Sequence, residues 1–225
     1  ALNGVTVGIL HTGRHYGDDL SDDGVIYHYP LTRRPPARDA AEVQATKNAM
    51  EYGLPIFVIC PGQTSGTRSV KLGWVVNFDD EARQFLIMFG NEPVQPAYDA
   101  ALSPQAPFIL ESDDTRVRRS ALVRVGQQRF RFHVIKQYGS KCAVCDISHP
   151  TLVEAAHLRG KRHKGNDDWR NGLPFCSTHH AAFDSMLFGI EPLSLEIKCK
   201  DGVSPLSIGL SCRRVQVVRN APHLD

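Results

Sequence analysis

The stretch from Cys142 to Asp184 limits what this chain can fold into more than any other. It reads CAVCD and then, after a short spacer, EAAHLRGKRHKGNDDWRNGLPFCSTHHAAFD. Cys142-x2-Cys145 and Cys176-x2-His179 each place two soft or borderline donors on one tight turn, the spacing by which such pairs converge on one tetrahedral zinc ion. A Cys3His set leaves no coordination position for water, so this Zn2+ is expected to be structural and to supply much of its domain's folding free energy. The bland alternative, buried cysteines beside a coincidental histidine, needs both knuckle spacings to arise by chance.

With His179 committed to zinc, the adjacent His180 points elsewhere, because neighbours on a helix are turned by about 100°. Asp184, four residues on, shares the His180 face, so the two can hold one hard or borderline divalent ion. His157 closes a strand-like run and opens the basic loop LRGKRHKGNDDWR. A neutral imidazole beside a metal-bound phosphate can take a proton from water and launch an in-line attack on phosphorus.

The order His157, Asn171, His180, with a C-x2-C before it and a C-x2-H overlapping the last histidine, resembles the HNH endonucleases of the ββα-metal type. The likeness runs from Arg124 to about Ile190, about a third of the chain. It implies that His157 is the general base, that Asn171 holds the loop so as to orient His157, and that His180 and Asp184 ligate the catalytic Mg2+ or Mn2+. Many such enzymes carry a histidine or aspartate immediately before the base; here that residue is Ala156. The metal then keeps more water ligands, or Glu154 contributes; Glu154 stays outside the core site. Arg159, Lys161, Arg162, His163, Lys164 and Arg170 lie between the base and Asn171, placed to contact phosphates flanking the scissile bond and to carry affinity rather than sequence choice.

Charge agrees with a nucleic-acid partner. The net charge of +2 hides an asymmetry: residues 1–112 hold 8 Lys+Arg against 13 Asp+Glu (net −5), and residues 113–225 hold 18 against 11 (net +7). The basic half is the phosphate-facing candidate. Six cysteines, three of them in knuckle pairs, suit a reducing compartment with a metal site better than a disulfide framework, whereas Cys60, Cys199 and Cys212 read as core residues. No apolar run approaches the ~20 residues of a spanning helix, so a cytoplasmic protein without membrane partners is expected. A start at Ala1 that runs straight into a strand-like pattern is what removal of a longer N-terminal part would leave.

Upstream, residues 4–11 and 24–29 read as strands around a polar loop. The glycine- and proline-free stretch from Asp39 to Tyr52 reads as a helix with an N-cap candidate and a stop at Gly53, and 55–60, 69–77 and 84–89 read as further strands. Several short strands with one helix predict a twisted, partly closed sheet. Four prolines in 91–107 end this first domain. Residues 127–138 read as a helix with Phe130, Val134 and Tyr138 on one stripe, and the segment beyond Asp184 as a covering hairpin.

The run HTGRHYGDDLSDDGVIYHY is similar to the core of SRA (SET and RING associated) domains, which flip a modified cytosine out of duplex DNA into an aromatic pocket. By position, that resemblance makes Tyr16 and Tyr29 the stacking walls and Asp19 the acceptor for the base's Watson–Crick edge, with Tyr27 or His28 as alternative walls. The sequence departs from the family: PLTRRPPA stands where a glycine-rich segment is usual, one residue must be inserted to register Tyr29, and His15 replaces a usual glycine.

The expectation is therefore an α+β chain: an SRA-like, partly closed β-barrel domain over 1–112, a basic linker over 113–126, and a zinc-stabilised ββα-metal HNH domain over 127–225. Its function would be that of a bacterial, modification-dependent endonuclease acting on double-stranded DNA that contains 5-methyl- or 5-hydroxymethylcytosine, working as a homodimer. The rivals are an HNH nicking or homing-type nuclease indifferent to modification, and a non-catalytic zinc-containing DNA-binding protein.

Overall fold

The structure is a computed structural model and describes residues 4–12, 19–62, 64–93, 107–109 and 126–216. The described residues group into two compact units, one holding residues 4–93 and 126–128, the other 107–109 and 129–216.

The first unit is one mixed five-stranded sheet with a helix. Strands β1 (Gly8–Leu10), β2 (Gly24–His28), β3 (Ile56–Pro61), β4 (Arg68–Asp79) and β5 (Gln84–Phe89) lie in the order β1-β3-β4-β5-β2. Only β1 and β3 run parallel; the other pairs are antiparallel. Along β3, Ile56, Val58 and Cys60 are buried while Phe57 is exposed, the period-2 signature of a sheet with one face covered. A register shift between Val75 and Asn77 puts a bulge in β4, which bends the strand and curls the sheet into a half-barrel. The core of this unit is Val25, Ile56, Val58, Val75, Phe85 and Ile87, with Val43 and Met50 of the helix packed on it.

Helix α1 spans Pro36–Glu51, three residues earlier than the sequence reading, because Pro36 at the first helical position needs no N–H partner there. Asp39 is accordingly not the N-cap: its carboxylate accepts from Thr32 N and Oγ1 and from Arg34, latching the turn that leads into the helix. At the far end Gly53 has φ +60°, and Leu54 N donates to Ala49 O, the left-handed glycine stop that the sequence predicts.

Helix α2 covers Gln127–Tyr138, the range read from the sequence, and delivers Phe130, Val134 and Tyr138 as one buried stripe to the core of the second unit. There β6 (Val153–His157) pairs antiparallel with β7 (Gly172–Cys176), and helix α3 (Ser177–Asp184) follows directly, so the order is β, β, α. Gly172 is where the strand passes closest to α2: a Cβ there would lie 2.6 Å from Phe130 Cζ. The hairpin β8 (Phe188–Ile190) and β9 (Ile197–Cys199) completes the unit, and residues 213–215 run beside it through Ile197 N to Arg213 O and Val215 N to Leu195 O. Among the described residues no helix is long and apolar enough to cross a membrane.

Candidate active site

The knot comes first, because it fixes α3 against β7. The ligand atoms of Cys142, Cys145, Cys176 and His179 all lie within 4.8 Å of one another, and all four residues are buried. Cys176 Sγ is 3.0 Å and Cys142 Sγ 3.7 Å from His179 Nδ1, and Cys145 Sγ is 4.0 Å from Cys176 Sγ. Donors about 2.3 Å from a tetrahedral zinc stand about 3.8 Å apart, so the set fits the ion that the spacing predicts. Without metal, burial pushes all three thiols up, so zinc must displace protons to bind.

One turn on, α3 presents the second metal candidate. His180 Nε2 lies 3.7 Å from Asp184 Oδ2, a nitrogen and an oxygen donor facing a common point, as the four-residue spacing predicts. The other ring nitrogen, Nδ1, donates to Glu154 Oε2 at 2.6 Å, while Glu154 Oε1 accepts from Ser177 Oγ at 2.6 Å. Burial alone would raise the Glu154 carboxyl, but the hydrogen bonds from Ser177 and His180 outweigh it and hold it below its ordinary value. Ala156 is fully buried and offers nothing to a metal. Among the described residues the knot is the one set of three or more His, Cys, Asp or Glu donors that converge, so His180 and Asp184 would leave further positions of an ion to water and phosphate.

His157 ends β6 with its ring stacked on Phe130 at 3.8 Å between centroids and 8° between planes, and with Nε2 2.9 Å from Asp167 Oδ1. Asn171 is buried and ties the basic loop shut. Its Oδ1 accepts from Arg159 N at 2.9 Å, and its Nδ2 donates to Arg159 O at 3.1 Å and Asn166 O at 2.9 Å. Leu158 N donates to Asn171 O, which continues the β6–β7 pairing past His157.

His157, His180 and Asp184 line one groove of about 820 Å3. Lys161, Arg162 and His163 form one bank, and Met186, Lys198 and Lys200 the other. The expected phosphate contacts thus divide. Arg162 lines the groove. Lys161 does too, but its Nζ rests on Asp167 Oδ2 at 2.5 Å. Arg159 donates to His163 O within the loop, and Lys164 is an exposed left-handed residue closing a short 3-10 turn. Arg170 is buried, paired with Asp168 at 2.6 Å and set over the Phe108 ring, so it serves the fold rather than a phosphate.

In the first unit Asp19 is fully buried and bonded to His28 Nε2 at 3.0 Å. Tyr16 lies outside the described residues. Tyr29 is no open stacking wall here: it is 8% exposed, its ring lies 4.6 Å from that of Phe85, and its hydroxyl donates to Asp80 at 2.9 Å.

Sequence reasoning set Glu154 aside and missed Asp167, Lys198 and Lys200. Glu154 is recoverable in hindsight from the register, since it pairs with Phe175 in β7, two residues before Ser177. Asp167 carries no such signal, because only the closed loop brings it back to His157.

Two antiparallel strands joined by a basic loop and followed by a helix thus bring His157, His180 and Asp184 to one groove, beside a zinc-competent knot. Residues 142–191 match the family described as HNH endonuclease, and the chain carries an HNH endonuclease domain there. One similar solved structure is that of a modification-dependent TagI restriction endonuclease, 19% identical, covering 100% of this chain and 79% of that chain with a TM-score of 0.36. The sequence has no significant match among curated proteins.

Proposed function

We propose that this protein is a metal-dependent DNA endonuclease of the modification-dependent restriction kind, hydrolysing phosphodiester bonds near 5-methyl- or 5-hydroxymethylcytosine. What supports the nuclease part is the single groove that holds His157, His180 and Asp184 beneath the loop tied by Asn171. His157 takes the proton of the attacking water, and Asn171 keeps the loop from drifting away from it. His180 and Asp184 would hold a divalent ion, Mg2+ or Mn2+, and such an ion would supply stabilisation of the negative charge that develops during phosphodiester hydrolysis. The knot residues Cys142, Cys145, Cys176 and His179 would hold Zn2+, and the bound ion would keep α3, and with it His180, in register with β6. Changing His157 to Ala is expected to abolish metal-dependent cleavage of duplex DNA on a gel while leaving the binding isotherm largely intact; cleavage retained by that variant refutes the assignment.

Substrate choice falls to the first region, residues 1–112, joined by the basic segment 113–126 to the cleaving region 127–225. The support is the resemblance of the run around Tyr16 to base-flipping SRA domains, which makes Asp19, a buried carboxylate bonded to His28 Nε2, the acceptor for cytosine. The burial of Tyr29 favours a second reading, in which the first region reads unmodified sequence or shape. Digesting matched methylated, hydroxymethylated and plain duplexes with Mg2+ or Mn2+ separates the two: cleavage of modified DNA alone supports the first, equal cleavage the second. Binding without any cleavage would reduce the protein to a zinc-containing DNA-binding module. One such site per chain cuts one strand, so double-strand cleavage calls for a homodimer on DNA, read by sedimentation of the complex.

A further inference from the structure

The loop between β6 and β7 contains two largely buried carboxylates that the reaction above does not use: Asp168 is tied to Arg170, and Asp167 faces the base. The Asp167 side chain is 13% exposed and is shared between two partners, His157 Nε2 at 2.9 Å on Oδ1 and Lys161 Nζ at 2.5 Å on Oδ2. Its first partner is the base. A carboxylate can only accept, so Nε2 carries the hydrogen, and the lone pair of a neutral His157 is left on Nδ1. The near-parallel Phe130 ring at 3.8 Å keeps the imidazole in that plane.

Its second partner can leave. Lys161 is exposed and lines the groove, where a DNA phosphate offers its ammonium a competing anion. While Lys161 stays on Asp167, part of the carboxylate's charge is neutralised; when a phosphate draws Lys161 away, all of it bears on His157. Burial would raise the Asp167 carboxyl, but the hydrogen bonds and charges of His157 and Lys161 outweigh it and hold it below its ordinary value, so it is an anion at neutral pH.

We propose that Asp167 is the positioning residue that fixes His157 with Nδ1 as the reactive nitrogen, and that Lys161 meters this effect, releasing Asp167 when it engages the substrate backbone. The inference rests on His157 being the base. The groove's other charged groups are Arg162 and His163 of the same loop, His180 and Asp184 of α3, and Lys198 and Lys200 of the hairpin, while α2 presents the uncharged Phe130 ring. None of these is altered by the three substitutions below.

The test uses the full zinc-loaded chain and single-turnover cleavage of duplex DNA with saturating Mn2+, followed from pH 5 to 9. Asp167→Asn keeps an acceptor on Nε2 but removes the charge. Its plateau rate is expected to fall by roughly 10–100-fold, the usual effect of losing such a supporting partner. Its rising limb is expected to move to lower pH, because the negative charge that Asp167 places 2.9 Å from Nε2 is gone. Lys161→Met should leave the limb of the DNA-bound enzyme where the parent has it, because bound substrate has already drawn Lys161 off Asp167, and should lower the salt slope of DNA binding by about 1. Asp167→Glu is expected to recover part of the rate. A limb that stays in place in Asp167→Asn, or that moves in Lys161→Met as it does in Asp167→Asn, overturns the proposal. If the parent protein cuts no DNA, the nuclease reading has failed, and the Asp167 inference is then decided by the 15N spectrum of His157. A neutral Nε2–H tautomer whose midpoint falls in Asp167→Asn supports it; an Nδ1–H tautomer, or an unmoved midpoint, overturns it.

Discussion

Glu154 and His180 show how one side chain decides what another can do. With Nδ1–H donated to Glu154 at 2.6 Å, the free nitrogen of His180 is Nε2, the one that faces Asp184. A ligating histidine held from behind by a carboxylate is oriented and made more electron-rich, and losing that partner commonly lowers metal affinity about 10–100-fold. Glu154→Gln should therefore weaken Mn2+ binding by about that factor in calorimetric titration of the zinc-loaded protein, with zinc content unchanged. Asp184→Ala should weaken it further, since it removes a donor outright. Equal Mn2+ affinity in the parent and Glu154→Gln would mean that Glu154 only ties β6 to α3. The 26 positions between Glu154 and His180 explain why no spacing rule joins them: the strand register does.

At the scale of elements, the β6–β7 loop is a backbone object. A Cβ at Gly165 would meet Arg159 O at 1.7 Å and Asn171 Nδ2 at 3.0 Å, the very groups by which Asn171 closes the loop. Gly165→Ala cannot keep that closure. Overpacking of this kind costs about 1–3 kcal/mol, and the variant is expected to lose at least tenfold in cleavage rate at unchanged zinc content. Helix α2 carries a different prediction. His133 is 7% exposed and its pKa is lowered to about 4, first by burial and then by the nearby positive charges of Lys136 and Arg129. Because the unfolded chain takes up a proton near pH 6.5 that the folded chain refuses until about pH 4, stability falls as pH falls through that window, by up to about 3 kcal/mol. Denaturant titrations at pH 7 and 4.5 should show a smaller loss for His133→Leu than for the parent, zinc release contributing equally to both. Much of this was legible beforehand. The 127–138 stripe repeats at helical period and the knuckle spacings are local, so both could be read from the chain. Asp167, the part of Lys198 and Lys200 in the groove and the burial of Tyr29 were not, because the first depends on how the loop closes and the others on pairing between residues far apart in sequence.

For the molecule as a whole, the two units hold separate cores of different kinds. The first is built mostly from sheet and helix side chains with one cysteine, Cys60, whereas the second gathers Cys142, Cys145 and Cys176 among its buried residues, beside Phe130, Trp169 and Phe175. Removing zinc leaves three buried thiols and His179 facing one another without the ion that reconciles them, in a unit whose strands are only three to five residues long. Zinc binding in such small sites is itself folding free energy, on the order of 10 kcal/mol or more at neutral pH, comparable to the whole stability of a domain. Chelation should therefore unfold the second unit and abolish both cleavage and the binding contributed by its basic groove, while the sheet of the first unit keeps its own transition. Calorimetry before and after chelation reads this directly: one transition should vanish, the other should remain, and readded zinc should restore the lost one. Cys145→Ser should reproduce the chelated trace without a chelator. A chelated protein that keeps both transitions would remove the knot from the account of folding while leaving the groove chemistry to be tested on its own.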